Sequence, residues 1–123
     1  LTELRRRGLR MGLVSNCMLP PACCYRELAR LGLASFMDFT VFSSEAGYRK
    51  PSQKIYARAL ELAFGPVRPA DLSGVLFVGD SPEFDVIAPA ALGMKTALVT
   101  CRRGLWPGLG FGSAGELPAV LPG

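Results

Sequence analysis

The chain has 123 residues, 50% of them hydrophobic and 20% charged, which suits one globular domain and excludes a disordered chain. The net charge is +4 with no histidine, and the dispersed basic residues lack the long stripe with interleaved aromatics that a nucleic-acid interface needs. No stretch approaches the roughly 20 apolar residues of a membrane span. The sequence begins without Met or a signal peptide, and its first residues are typical of a helix inside a domain. We therefore expect that part of the protein precedes this chain.

The cysteines favour reduced thiols over a metal site. They are Cys17, Cys23, Cys24 and Cys101, without C-x-x-C spacing and without a histidine to complete a zinc site. Cys23 and Cys24 are adjacent in a predicted helix, a geometry unsuited to pairing with each other. Reduced thiols are typical of the cytoplasm, so we expect a cytoplasmic protein. The charge distribution and the absence of a long apolar stretch predict no nucleic-acid partner and no membrane partner.

Hydrophobic periodicity and turn residues divide the first half of the chain into helices and short strands. The predicted elements are a helix over Leu1–Arg7 stopped by Gly8, a strand over Met11–Val14, a helix that opens at Pro20-Pro21 and stops at Gly32, a connector over Phe36–Phe39, and a strand over Thr40–Ser43. In the second of these helices, Tyr25, Leu28 and Ala29 share the predicted apolar face.

The second half continues this alternation. A turn over Gly47–Pro51 precedes the clearest helix, Ser52–Phe64, in which Ile55, Ala59 and Leu62 recur at helical spacing. The later predictions are a strand over Val75–Val78, a helix over Phe84–Leu92 that Pro89 interrupts or delays, a strand over Lys95–Val99, an irregular glycine-rich segment over Cys101–Gly115, and a last helical turn over Glu116–Leu121.

Two carboxylates follow the strand over Val75–Val78. That strand is an unbroken apolar run, typical of a parallel strand covered on both faces. Asp80 comes just past its carboxyl end, where open α/β sheets bind ligands, and Asp85 follows at a helix start. The pair is placed to converge on one cation or one lysine. The alternative is that Asp80 is a turn residue and Asp85 an N-terminal helix acid.

Alternating strands and helices predict a parallel sheet with right-handed crossovers. Its strand ends meet at one edge, which gathers Ser15-Asn16, the turn with Lys50, and Asp80. A hydroxyl, an ammonium and a carboxylate in one crevice suit an anionic substrate with a metal ion. Each of these residues has a simpler interpretation when it is considered by itself, since Ser15 could cap a helix and Lys50 could be a solvated loop lysine.

Three motifs stand in a defined order: Leu13–Asn16, then Gly47–Pro51, then Val78–Asp85 followed by Ala91–Thr96. In this order and spacing they resemble the second, third and fourth motifs of haloacid dehalogenase (HAD) superfamily hydrolases. The similarity covers about residues 1–100. It implies that residues 1–123 are the C-terminal part of a HAD-like core domain. The implied fold is α/β, a three-layer Rossmann-like parallel sheet that is incomplete because its central first strand is missing.

The resemblance implies a role for each candidate residue. Ser15 and Asn16 would bind the transferring phosphoryl group, and Lys50 would neutralise charge on the nucleophile and the phosphate. Asp80 would be a Mg²⁺ ligand, and Asp85 would support the metal site or orient Lys50. The implied cofactor is Mg²⁺, and the implied partner of the full-length protein is a small phosphorylated substrate.

The first motif of the superfamily, D-x-D-x-T/V, has no counterpart in this sequence. Glu3 is the only carboxylate before Ser15, and Asp38 lies in a connector with no second aspartate at the motif spacing. We therefore expect Asp38 not to be catalytic. Without the nucleophilic aspartate no aspartyl-phosphate forms, so we expect the chain to be inactive alone.

Two classes of function stay open. The first is a fragment of a Mg²⁺-dependent HAD-type phosphatase that acts on a small phosphomonoester through an aspartyl-phosphate intermediate. The alternative is a non-catalytic remnant that serves as a binding or regulatory module. A dehalogenase is a third interpretation, which a retained metal ligand at Asp80 disfavours because the dehalogenases of the superfamily need no Mg²⁺.

The implied missing strand has a physical consequence. The strands over Met11–Val14 and Val75–Val78 would each have an unpaired edge, at a cost of about 1–3 kcal/mol for each buried unpaired group. A domain has only about 5–15 kcal/mol of net stability. We therefore expect a chain that is aggregated, partly unfolded, or rescued by a strand-donating partner chain. The two strands should either have a gap of about two strand spacings between them, roughly 10 Å, or pair directly.

Overall fold

The computed structural model describes residues 1–100 and the strand at 119–121. Its chain forms two compact units, Leu1–Pro69 and Ala70–Gly123. In chain order the elements are α1 (Thr2–Arg6), β1 (Gly12–Ser15), α2 (Pro21–Arg30), a 3₁₀ turn (Ala34–Phe36), β2 (Phe39–Phe42), α3 (Ser43–Ala46), α4 (Gln53–Phe64), β3 (Leu76–Gly79), a π-helical turn (Pro82–Ile87), α5 (Ala88–Ala91), β4 (Lys95–Leu98) and β5 (Ala119–Leu121).

Most predicted elements are present, with ends shifted by a residue or two. The predicted helix stops Gly8 and Gly32 have positive φ, at 78° and 71°. Gly65 and Gly93, which follow the later helices, also have positive φ, at 87° and 99°. Two details differ. The short helix α3 was not predicted, and the helical turn expected to end at Leu121 is wrong, because Ala119–Leu121 pairs as a strand with β4. The irregular segment predicted over residues 101–115 lies outside the described residues.

In the first unit, β1 and β2 pair in parallel, with Gly12 opposite Phe39 and Ser15 opposite Phe42. A Cβ at Gly12 would lie 2.1 Å from Cζ of the Phe39 ring, so any other residue there would displace this ring. Because the strands are parallel, Ser15 and Phe42 end them at the same edge. The loops that follow both strands therefore start side by side.

Helix α2 covers this sheet with a narrower face than predicted. Cys24 and Leu28 are buried in a cluster with Phe42, whereas Ala29 is exposed. Tyr25 keeps 41% of its surface exposed, although its ring packs edge-on against Phe42 with centroids 5.1 Å apart. The buried stripe runs through positions four residues apart, as helical geometry requires, and it is rotated toward Cys24.

Helix α4 contacts both strands of the first unit. Ser52 caps it by accepting a hydrogen bond from the Lys54 N–H at 3.3 Å. Its buried side chains are Ile55, Tyr56, Ala59 and Leu60. Full burial of one aliphatic side chain such as Ile55 contributes about 1.5–3 kcal/mol, so this face anchors the chain segment that directly follows Lys50.

The second unit is a three-stranded sheet in the order β3-β4-β5. β3 and β4 are parallel, and β5 is antiparallel on the other side of β4. The expectation that β3 is covered on both faces is wrong for the described residues. Leu76 and Val78 are 54% and 50% exposed, and they alternate with half-buried Phe77 and Gly79, because the described elements cover only one face of this strand.

The described residues thus form an α/β fold with short parallel sheets, as expected of an incomplete Rossmann-like core. β1 pairs with β2 in the first unit, and β3 pairs with β4 in the second. None of the described helices combines the length and apolar character needed to cross a membrane.

Candidate functional site

The ends of β1 and β2 are tied together by one hydroxyl group. Ser43, which begins α3 directly after β2, accepts a hydrogen bond from the Cys17 N–H at 2.8 Å and donates one to the Cys17 carbonyl at 3.0 Å. These bonds hold the segment that follows Ser15. Sequence analysis did not single out Ser43, although its small polar side chain at the predicted strand end was the available signal.

Asn16 connects the end of β1 to the turn that contains Lys50. Its Oδ1 accepts from the Lys50 N–H at 2.7 Å, and its Nδ2 donates to the Lys50 carbonyl at 3.1 Å. One side-chain amide therefore satisfies both backbone groups of Lys50, and the Lys50–Pro51 bond that follows is cis. The structure thus brings the second and third sequence motifs together, as the sheet-edge argument predicted.

This bridge adds a positioning role to the predicted phosphate-binding role of Asn16. The Oδ1 atom is an acceptor and is already bonded, so only the second N–H of the amide is left to reach an anion. Ser15 and Lys50 are both half-buried. The roles of Ser15, Asn16 and Lys50 toward a phosphoryl group stay predictions.

At the end of β3 the two aspartates differ in environment. Asp80 is exposed directly after the strand, whereas Asp85 is only 3% exposed. Asp85 Oδ2 accepts from the Ser81 N–H at 3.0 Å, and Ser81 Oγ accepts from the Phe84 N–H at 3.3 Å. The reciprocal pattern is similar to a helix capping box. Asp85 therefore shapes the turn on which Asp80 lies.

Gly79 makes this arrangement sterically feasible. A Cβ at Gly79 would lie 2.2 Å from both Cγ and Oδ2 of Asp85, far inside any allowed contact. Gly79 is thus required by the buried Asp85 carboxylate. This explains in physical terms why a glycine precedes the aspartate at the strand end.

The carboxylates fit part of a magnesium site. Mg²⁺ is usually held by one or two carboxylates together with waters and substrate phosphates, and Asp80 offers such an exposed carboxylate. In the described part of the chain, however, no three His, Cys, Asp or Glu side chains are grouped to hold a metal ion. The role of Asp80 as a Mg²⁺ ligand stays a prediction.

Asp38, which we expect not to act as the nucleophile, and Glu3 both have other partners. Asp38 Oδ2 accepts from the Met11 N–H at 2.8 Å, and Oδ1 is 3.2 Å from Arg5 Nη1. The Met11 N–H and the Arg5 guanidinium hold the pKa of Asp38 below its usual value. Glu3 binds Arg6 and Arg7 on α1.

Position also separates Asp38 from the predicted site. Asp38 precedes β2 and bonds Met11, which precedes β1, so it joins the amino ends of the two strands. Ser15 lies at their carboxyl ends, the opposite edge of the sheet. The expectation that Asp38 is not catalytic agrees with this placement.

The candidate residues form two groups within the two units. Ser15, Asn16 and Lys50 lie within residues 1–69, and Asp80 and Asp85 lie within residues 70–123. The contacts described above are internal to each group. Convergence of the two groups on one substrate stays a prediction.

Comparison with known families identifies the family to which this chain belongs. The family of haloacid dehalogenase-like hydrolases matches residues 1–99. The chain belongs to this family. The family and the HAD-like fold expected from the sequence motifs are thereby confirmed.

Three relatives are 36% or 37% identical to this chain. The pyrimidine 5'-nucleotidase YjjG of Escherichia coli is 36% identical over 96 residues, covering 78% of this chain and 38% of that protein. Haloacid dehalogenase-like hydrolase domain-containing protein 3 of Homo sapiens is 37% identical, covering 87% of this chain and 39% of that protein. Phosphoserine phosphatase of Thermus thermophilus is 36% identical, covering 87% of this chain and 39% of that protein. The chain thus spans about two fifths of the length of these relatives.

Two solved structures share the fold. The magnesium-bound HAD-hydrolase YfnB of Bacillus subtilis matches with a TM-score of 0.68 and 21% identity, covering 98% of this chain and 46% of that one. A HAD phosphatase from Thermococcus onnurineus matches with a TM-score of 0.65 and 24% identity, covering 89% and 46%. At these identities the similarity establishes only the fold of this chain.

Proposed function

We propose that this chain forms the C-terminal part of the catalytic core of a phosphatase that hydrolyses a small phosphomonoester. The proposal rests on the Asn16–Lys50 bridge, which holds the Lys50 backbone against the end of β1, next to Ser15. Hydroxyl and ammonium donors at one sheet edge suit a phosphoryl group, whose oxygens accept charge-assisted hydrogen bonds. The nucleotidase and phosphatase among the relatives support the same class of substrate.

Each residue has a defined part in the proposed reaction. The Ser15 hydroxyl donates to a phosphoryl oxygen, and the Lys50 ammonium neutralises charge that develops on the phosphate. Asp80 would hold Mg²⁺, which when bound withdraws charge from phosphate oxygens. Asp85 is a positioning residue, because its hydrogen bond from the Ser81 N–H shapes the turn that carries Asp80.

The nucleophile is the part that these 123 residues do not supply, because the sequence contains no D-x-D-x-T/V motif. Glu3 and Asp38 are engaged with arginines and with the Met11 N–H. We therefore propose that the chain is a fragment of the enzyme and has no turnover alone. The second candidate, a non-catalytic binding or regulatory module, is favoured by the same missing motif.

The catalytic assignment is tested with p-nitrophenyl phosphate and Mg²⁺ on a longer protein that contains this chain after a D-x-D-x-T/V motif. Lys50→Ala and Asp80→Asn should each lower kcat by a factor of about 10² or more, because each removes charge that stabilises the transition state. Lys54→Ala and Asp71→Asn are matched controls. Lys54 lies over the Tyr48 ring at 5.0 Å, and Asp71 accepts from the Ser73 N–H.

The outcomes separate the two candidates. Unchanged kcat in Lys50→Ala or Asp80→Asn, or equal losses in the controls, would contradict the catalytic assignment. Turnover by residues 1–123 alone would contradict the fragment proposal. A parent sequence without the nucleophile motif would favour the binding module.

We also propose that a strand-donating partner segment pairs with β1 or β3. Each of these strands has a single neighbour among the described residues, so each offers backbone N–H and C=O groups along one side, which favours association. Residues 1–123 alone should elute as aggregates or show a broad thermal transition in scattering and circular dichroism. A monomer with one cooperative transition would show that no partner is needed.

A further inference from the structure

A pair of thiols lies beside the candidate phosphate-binding residues. Cys17 directly follows Asn16, and Cys24 lies in the second turn of α2. Their Sγ atoms are 2.6 Å apart, against about 2.05 Å in a formed disulfide. Neither is bonded in a disulfide in the structure, and neither has a part in the proposed hydrolysis.

The fold, rather than proximity in sequence, selects these two cysteines. Cys23 is exposed, whereas Cys24 is 6% exposed and packs in the cluster with Leu28 and Phe42. Successive helical residues point about 100° apart, so Cys23 and Cys24 cannot both face the same neighbour. The Cys17 backbone is fixed from the other side by its two hydrogen bonds with Ser43.

We propose that Cys17 and Cys24 are a redox-active dithiol that low-molecular-weight disulfides such as oxidised glutathione convert to an intramolecular disulfide. The Cys17 thiolate attacks one sulfur of the oxidant and releases one glutathione thiol, which leaves a mixed disulfide on Cys17. The Cys24 thiolate then attacks Cys17 Sγ and releases the second glutathione. Two protein thiol protons are lost, and the two electrons reduce the oxidant to two thiols.

The environments of the two thiols set the order of attack. Cys17 is half-buried and Cys24 is buried, so Cys17 is the thiol that meets the oxidant. The Cys17 side chain and burial raise the pKa of the Cys24 thiol to about 11, which leaves little thiolate to react with an external disulfide. Contact with Cys17 makes its attack intramolecular, where effective concentrations far exceed those in solution.

The disulfide would tether the segment after Ser15-Asn16 to helix α2. The loop that it closes contains Met18, which is 95% exposed, and Leu19, which is 58% exposed. Oxidation would thus restrict an exposed loop directly next to the proposed phosphate-binding residues. The inference rests on thiol geometry alone and does not require the proposed hydrolysis to be correct.

The test uses the intact protein and peptide mass spectrometry. Trypsin releases residues 11–26 as one peptide that contains Cys17, Cys23 and Cys24. The variant Cys23→Ser keeps the proposed pair, and Cys24→Ser is its matched control; both also contain Cys101→Ser. Each is incubated with oxidised glutathione, alkylated and digested, in native buffer and in about 6 M guanidinium chloride.

In native buffer the peptide of Cys23→Ser should become lighter by two hydrogen atoms, at least about tenfold faster than in denaturant, because the fold holds the thiols in contact. Cys24→Ser should give mainly glutathione adducts. The proposal would be overturned if Cys23→Ser gave glutathione adducts and no intramolecular disulfide. It would also be overturned if the disulfide formed at the same rate in native buffer and in denaturant. The comparison between native buffer and denaturant uses Cys23→Ser alone, so it stays decisive if Cys24→Ser fails to fold.

Discussion

Replacing Gly79 by alanine tests the close contact between Gly79 and the Asp85 side chain at the end of β3. The added Cβ would lie 2.2 Å from Cγ and Oδ2 of Asp85 and 2.6 Å from its Cβ. Asp85 cannot move aside cheaply, because it is 3% exposed and its Oδ2 accepts from the Ser81 N–H. The strand or the turn must therefore shift.

The magnitude follows from two contributions. Overpacking of a closely packed site costs about 1–3 kcal/mol, and loss of the Ser81–Asp85 hydrogen bond costs a further 0.5–1.5 kcal/mol or so. We expect Gly79→Ala to lower the free energy of unfolding by about 2–4 kcal/mol. Gly74→Ala is the matched control, because a Cβ there meets no atom within 4 Å, and its effect should stay within about 0.5 kcal/mol.

The assay is equilibrium urea unfolding of the intact protein, followed by far-ultraviolet circular dichroism. A double-mutant cycle with Asp85→Gly isolates the contact. In the Asp85→Gly background the clashing carboxylate and the Cβ at 2.6 Å are both gone, so adding Gly79→Ala should cost much less than it does in the unmodified protein. Equal costs in the two backgrounds, or a Gly79→Ala variant as stable as Gly74→Ala, would refute the steric argument.

Three further predictions concern single residues and the metal. Asn16→Ala should lower the free energy of unfolding by about 1–3 kcal/mol, because two part-buried hydrogen bonds are lost. A change in urea stability no larger than that of Gln53→Ala, which removes an exposed amide, would contradict the bridging role. The pKa of Asp38 is depressed in the folded state by the Met11 N–H and Arg5, so its stabilising effect is present above the unfolded pKa of about 3.9 and is lost as pH falls through the lower folded value. Asp38→Asn should therefore flatten the acid limb of a Tm-against-pH profile, and an unchanged limb would argue against this linkage. Residues 1–123 should bind Mg²⁺ with a Kd of about 1 mM or weaker, since they offer one or two of the needed carboxylates; micromolar binding by titration calorimetry would show that they form a complete site.

Much of the local structure follows from residue order. The apolar run before Asp80, the glycines after helices and the periodicity of α4 predicted elements within a residue or two of their observed ends, because these signals act through the backbone. The last three-residue strand was missed, because pairing with β4 overrides the local propensity of Ala119–Leu121. The exposed face of β3 was missed for a related reason: an apolar run shows that a strand suits burial, not which elements cover it.

The candidate site likewise follows partly from the sequence and partly from the tertiary structure. The sequence by itself determined the family, through the motifs at Ser15, Lys50 and Asp80, and it determined which side chains have the chemistry for a phosphoryl group. Only the tertiary structure decided how they are held: the Asn16 amide on the Lys50 backbone, the Ser43 hydroxyl on Cys17, and Asp85 against Gly79. Each of these contacts depends on hydrogen-bond distances and side-chain directions, which are set when strands and helices pack. Such contacts join residues up to 34 positions apart, a separation at which sequence periodicity contains no information about geometry.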